Sequence, residues 1–181
     1  MRALRIVSQC TVSLLVIAAA VQAQKAEMSD AAYIKLAVTA APKAVGDGAA
    51  VVRMDKDGKM RTLRAEDNGF TCMIVGVEKM CSDANSMEFM HAMMSHTPPP
   101  DKLGVSYMLT GDDGASNTDP YATAKTADNH WIVTGPHIMI FGAASKTMGL
   151  TQAKDPDPKK PYMMWSGTPY EHAMIPVAAA K

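Results

Sequence analysis

The fold is decided by a stretch that reads AAVVRMDKDGKMRTL from residue 49 to residue 63. Two short segments, each able to form a strand, flank the turn sequence Asp-Lys-Asp-Gly, which ends at Gly58. Tight hairpin turns favour aspartate and glycine, and glycine adopts a positive φ at no steric cost. The pattern therefore predicts a β-hairpin with strands over 49–54 and 59–63.

Further elements extend from this hairpin in both directions. A helix is predicted over 30–40, where a serine and an aspartate can cap its first turn. A second helix is predicted over 86–95, because Asn85 and Glu88 have the spacing of a capping box. Further strands are predicted over 70–77, 104–109, 130–141, 162–165 and 170–177. Since strands outnumber helices and hairpins connect several of them, we predict an α+β fold: one domain with a mostly antiparallel sheet and two or three helices.

The N-terminus has the order of a cleavable signal peptide. Arg2 and Arg5 lie near the start of the chain, and an apolar run follows at 12–21. Small residues precede a cut after Ala23. The apolar run is shorter than the roughly 20 residues that a membrane-spanning helix needs. We predict a signal peptide over 1–23 and a single mature domain over 24–181, secreted or periplasmic, without a membrane anchor after cleavage.

The charge balance excludes some classes of partner. The whole chain has 18 Lys and Arg against 18 Asp and Glu. Cleavage would remove two arginines and no acid, which leaves a slightly negative domain. Such a balance gives no electrostatic basis for binding nucleic acid or an anionic membrane. The chain also lacks a phosphate-binding glycine loop and a paired C-x-x-C motif, which disfavours nucleotide binding and a structural zinc site.

Two cysteines, Cys72 and Cys81, would remain after cleavage. In an oxidising compartment an even pair at this spacing predicts a disulfide. Its short loop corresponds to a stabilisation of about 2–3 kcal/mol. The C-x₈-C spacing differs from that of redox-active C-x-x-C motifs, so we assign the bond a structural role.

The sequence His-x-Met-Ile occurs twice, as His137 with Met139 and as His172 with Met174. Positions i and i+2 of a strand share one face. If the two strands are neighbours, four side chains could meet there, and imidazole with thioether suits copper, especially Cu(I). The alternative is that the methionines fill a core and the histidines are hydrogen-bonded structural residues.

A third group of side chains lies on the second predicted helix. Met87, Met90, His91 and Met94 have the spacing of one helix face. This face could bind copper, but we favour a plain apolar stripe that docks on the core.

The segment Gly-Thr-Pro-Tyr170-Glu-His172 is a possible catalytic element. Strand alternation would place Tyr170 and His172 on one face and Glu171 on the other, so a Glu–His dyad has poor geometry. An acid/base pair of His137 and His172 is a better enzymatic alternative. Neither Ser116 nor Ser166 lies in a nucleophile elbow of the G-x-S-x-G type.

Several strings resemble a family of exported bacterial proteins that is itself uncharacterised. The resemblance covers about residues 30–177 and implies a secreted or periplasmic protein that forms one unit. It implies no activity and no catalytic residue. The strings are FTCM at 70–73, ASNTDPYAT at 115–123, TGPHIMI at 134–140 and MWSGTPYEH at 164–172.

The leading hypothesis is an exported binding protein for a small ligand or an ion, with copper as the candidate ion. His137 and His172 are expected to line the site, with Tyr170 and Trp165 near them. One alternative is a secreted, hydrolase-like enzyme that uses the histidine pair. The other is a structural envelope protein without a site.

Overall fold

The computed structural model describes residues 28–65 and 67–177 of the 181-residue chain. The predicted signal peptide lies outside these residues. Within them, no helix combines the length and the apolar character that crossing a membrane requires.

The described residues form three α-helices and ten strands. The helices are α1 (Asp30–Ala37), α2 (Lys43–Gly46) and α3 (Ala84–Met94), and short 3-10 helices lie at Val38–Ala40 and Ala143–Thr147. The strands are β1 (Ala50–Met54), β2 (Met60–Arg64), β3 (Phe70–Val75), β4 (Glu78–Asp83), β5 (Gly104–Met108), β6 (Ala115–Ser116), β7 (Trp131–Ile132), β8 (His137–Phe141), β9 (Tyr162–Met164) and β10 (His172–Pro176).

Eight of the described strands form one sheet in the order β2-β1-β3-β4-β5-β8-β10-β9, and β6 pairs with β7 separately. All neighbours in the large sheet are antiparallel except β1 and β3. The predicted α+β fold with a mostly antiparallel sheet is confirmed. The predicted hairpin is also present, since Met54 pairs with Met60 and Gly58 has a φ of 80° in the turn.

The start of α3 differs from the prediction. Asp83, at the end of β4, is the N-cap, and its Oδ1 accepts a hydrogen bond of 2.8 Å from the Ser86 N–H. Asn85, the predicted cap, lies within the helix, and its Nδ2 donates to the Leu103 carbonyl. The capping-box prediction was wrong because β4 went unrecognised: its sequence EKMCSD lacks the apolar alternation that indicates a strand.

The face that α3 turns to the core also differs from the prediction. Its buried residues are Ser86, Phe89 and Ala92, whereas His91 and Met94 are exposed. The expected docking of the methionine stripe was therefore wrong. Ser86 lies where the helix approaches β5 closely, since a Cβ on Gly104 would lie 2.6 Å from the Ser86 Oγ. Phe89 packs against Phe141, with ring centroids 4.5 Å apart.

The predicted disulfide joins Cys72 on β3 to Cys81 on β4. The two residues are direct cross-strand partners with their Cα atoms 4.0 Å apart, and both are fully buried. They pack in a core that also contains Ala37 of α1 and Val51 of β1. The bond therefore cross-links a hairpin at the point where α1 covers the sheet.

Removing this bond should destabilise the protein measurably. We expect the Cys72→Ala/Cys81→Ala double variant to lose about 2–3 kcal/mol of unfolding free energy, because the unfolded chain regains the entropy of the short closed loop. Urea unfolding measures this loss. Wild-type protein treated with a thiol reductant is the control and should fall by a similar amount, and an unchanged midpoint in both samples would contradict the prediction.

Candidate functional site

The two His-x-Met-Ile segments form neighbouring strands. They are β8 and β10, which pair antiparallel with Met139 opposite Met174. Their two histidines and two methionines share one face of the sheet. All four side chains are buried, with exposed fractions of 0% for His137, 1% for His172, 8% for Met139 and 1% for Met174.

The register offsets the Cα atoms of the two histidines along the strands. His137 lies opposite Pro176, which is four residues beyond His172 on β10. At about 3.4 Å per residue this offset is roughly 14 Å. The Met139–Met174 pair lies between them, so each end of the shared face has one imidazole and the middle has two thioethers.

Both histidines have the same tautomer. The Nδ1 of His172 lies 3.0 Å from the Tyr170 carbonyl oxygen, and the Nδ1 of His137 lies 2.7 Å from the Gly135 carbonyl oxygen. A carbonyl only accepts hydrogen bonds, so each Nδ1 carries the proton and donates it. Each Nε2 then carries a lone pair. Both Nε2 atoms are buried and have no hydrogen-bond partner in the described part of the chain. An unpaired buried acceptor costs about 1–3 kcal/mol, so these two atoms require an explanation.

Burial keeps both imidazoles neutral. It lowers the pKa of His172 to about 4, although the hydrogen bond to the Tyr170 carbonyl acts in the opposite direction. Burial likewise lowers the pKa of His137 against the effect of its bond to Gly135. At neutral pH both Nε2 atoms are therefore unprotonated.

The surroundings of His172 combine aromatic rings with thioethers. Its ring centroid lies 4.9 Å from that of Phe141 and 4.9 Å from that of Trp165. Met164 of β9 is its direct cross-strand partner, and Met174 is two residues along the same strand face. Sequence reasoning missed Phe141 and Met164, because cross-strand neighbours follow from register and not from local pattern.

Trp165 has an unusual backbone conformation. Its φ is +55°, which is uncommon for a bulky residue. The indole Nε1 donates to the Ser116 carbonyl over 2.8 Å, and the backbone N–H donates to the Asn117 carbonyl over 3.0 Å. These bonds hold the strained residue against His172, and such strain is concentrated at functional sites in proteins.

Tyr170 lies between the buried site and the surface. It is 6% exposed, and its hydroxyl donates to the Thr97 carbonyl over 3.1 Å. Its ring is edge-on to Phe89 and to Tyr121. Tyr170 therefore closes one side of the aromatic cluster around His172 and supplies the carbonyl that fixes the imidazole.

Two other kinds of site, a metal centre built from His, Cys, Asp or Glu and a serine nucleophile paired with a histidine, receive less support. The described residues contain no group of three or more His, Cys, Asp or Glu side chains placed to hold a metal ion. Ser166 donates to Glu171 over 3.1 Å, so its hydroxyl is oriented by a carboxylate and not by an imidazole.

No family model, curated protein or solved structure matches the chain. The resemblance to exported bacterial proteins stays a prediction, and the site is judged from its own chemistry.

Proposed function

We propose that this chain is an exported protein that binds a soft monovalent metal ion, Cu(I), at His172 on the shared face of β8, β10 and β9. The observation that supports it is the buried, neutral imidazole whose bare Nε2 has no partner among the described residues. Metal-ligating histidines commonly donate their other ring N–H to a backbone carbonyl, as His172 does to Tyr170.

The chemistry of the neighbours favours Cu(I) over other ions. Thioether sulfur is soft and uncharged, and it suits Cu(I) better than zinc, magnesium or calcium. Met164 and Met174 belong to a buried apolar cluster. The nearby buried carboxylate of Glu171 already accepts hydrogen bonds from the Ser166 hydroxyl and the Gly167 N–H. Burying an uncompensated charge in such a core is costly. The cost of burial is therefore smaller for a monovalent ion than for a divalent one.

The register defines the proposed ligand set. Met164 lies directly across from His172, Met174 shares its strand face, and Met139 lies diagonally on β8. His137 is offset from His172 by four residues along the face, so it is left out of the proposed ligand set. Compared with the sequence-based set of His137, Met139, His172 and Met174, the proposal replaces His137 with Met164.

Secretion is part of the proposal. It rests on the predicted signal peptide and on the disulfide, which is the type of bond found in oxidising compartments. The enzymatic alternative receives less support, because both imidazoles are buried, with 0% and 1% of His137 and His172 exposed. A general acid and base must both reach the substrate.

The test is an anaerobic Cu(I) titration of residues 24–181 in competition with a chromophoric Cu(I) chelator. We expect wild-type binding tighter than about 1 μM, and at least about tenfold weaker binding in a Met164→Leu/Met174→Leu variant. Leucine retains the volume and removes the sulfur, so the fold should persist.

Met108→Leu is the matched control. Met108 is equally buried on the same sheet face, but its cross-strand partner is His137. It should leave Cu(I) affinity unchanged. An absence of wild-type binding, or equal losses in both variants, would reject the proposal.

A further inference from the structure

A second site lies in a surface cleft beside Ser166 and Gly167, which follow Trp165 in the chain. The cleft has a volume of about 280 Å³, which is near the lower limit for small-molecule pockets. Three loops meet there: the one that follows β6, the one that precedes β9 and the one that follows β9. The residues that line it are Asn117, Thr118, Gln152, Lys154, Ser166 and Gly167.

Asn117 holds the three loops together. Its backbone N–H donates to the His130 carbonyl, and its carbonyl accepts from the Trp165 N–H, both at 3.0 Å. Its side-chain Nδ2 donates to the carbonyls of Ala153 and Lys154 over 3.1 and 3.0 Å. These two bonds define which amide atom is nitrogen and which is oxygen.

The remaining atom of this side chain, Oδ1, has no hydrogen-bond partner in the described structure. Asn117 is only 2% exposed although it lines the cleft. A purely structural asparagine would have both ends of its amide satisfied. The unpaired oxygen therefore indicates that a hydrogen-bond donor from outside the chain completes this site.

Lys154 and Ser166 supply the other polar groups of the cleft. The Lys154 side chain is exposed, and no carboxylate among the described residues forms an ion pair with it. The Ser166 hydroxyl and the Gly167 N–H both donate to the Glu171 Oε2, over 3.1 and 2.7 Å. The Ser166 oxygen thus keeps lone pairs for a donor, whereas the exposed lysine is a donor-only cation that favours an anionic partner.

From the unpaired Asn117 oxygen and the preference of Lys154 for an anion, we infer that the cleft binds a small zwitterion, a free α-amino acid. The ammonium group donates to the Asn117 Oδ1 and the carboxylate pairs with Lys154. A simple anion would leave the Asn117 oxygen unpaired, and a simple cation would face the lysine. The volume of about 280 Å³ suits a small ligand. This site uses none of the proposed metal ligands and is independent of Cu(I) binding.

The test uses metal-free residues 24–181 and follows backbone amide shifts by NMR. Each of the common amino acids is added singly, beginning with L-alanine. We expect at least one to bind with a Kd below about 1 mM. Pyruvate, which has the carboxylate and methyl of alanine but no N–H donor, should bind at least about tenfold more weakly than L-alanine, because it leaves the buried acceptor unpaired.

Two variants complete the experiment. Lys154→Gln removes the proposed partner of the carboxylate at an exposed position and should weaken amino-acid binding at least about tenfold. Lys159→Gln removes the same charge from the same loop outside the cleft and should bind like the wild type. No binding by any amino acid, equal binding of pyruvate and alanine, or equal effects of the two variants would each overturn the inference.

Discussion

Lowering the pH from 7 to 4 is expected to reduce the free energy of unfolding by about 3 kcal/mol through His172 alone. The folded protein holds the pKa of this buried imidazole near 4, against 6.5 for an ordinary histidine. Above pH 6.5 neither state binds the proton, so the group has no effect on stability. Between pH 6.5 and pH 4 the unfolded chain binds the proton and the folded chain does not, so stability is lost as the pH falls.

Other groups titrate in the same range. Burial also lowers the pKa of His137, which adds to the loss on acidification. Burial raises the pKa of Asp112 to about 6 and raises the pKa of Glu78. These carboxyl groups bind protons more readily in the folded state, so they oppose the loss. A substitution at His172 is therefore needed to isolate its contribution.

The measurement is urea unfolding at pH 7 and pH 4 for the wild type and for His172→Phe. Phenylalanine fits an aromatic site and removes the unpaired acceptor. The stability of the variant relative to the wild type should increase by about 3 kcal/mol from pH 7 to pH 4. The exposed His91→Phe is the control and should show no such change, and a difference between wild type and His172→Phe that is independent of pH would refute the prediction.

Replacing Gly142 with alanine should cost about 4 kcal/mol of stability. Gly142 follows β8 with φ 86° and ψ 175°, a backbone region that is essentially restricted to glycine. A Cβ at this position would also collide with the Lys102 carbonyl oxygen. Because the clash is with backbone, relief requires movement of β8, whose last residue, Phe141, packs against His172.

Gly149→Ala is the matched control for this substitution. Gly149 also has a positive φ, 65°, but a Cβ there would meet no atom within 4 Å. It should cost only about 1–2 kcal/mol, the price of the left-handed conformation itself. Thermal or urea unfolding compares the two variants. Equal losses would mean that the contact with Lys102 does not constrain the end of β8.

Local signals predicted the local parts of this fold. The Asp-Gly turn was sufficient for the β1–β2 hairpin, and the spacing of Cys72 and Cys81 for their disulfide. The helix α3 was predicted at nearly its observed position, but its cap and its buried face were not. Both errors arose from contacts beyond the helix, with β4 on one side and Gly104 on the other.

The candidate site was predictable only in part, since it depends on register. Alternation places His137 with Met139 and His172 with Met174, but only strand pairing determines the offset between the two histidines. The same pairing brings Met164 beside His172. The unpaired Nε2 atoms could not be predicted, because the absence of a partner depends on every element that packs against the sheet.

The strand order of the large sheet also bears on aggregation. An uncovered edge strand can pair with a second molecule. The β2 edge is protected by charge, because Arg61 binds Asp30 and Arg64 donates to the Ala49 carbonyl. The β9 edge is only three residues long, and the Met163 N–H donates to the Thr151 carbonyl of the preceding loop. Both ends of the sheet are thus guarded against edge-to-edge polymerisation, one by arginines and one by a covering loop.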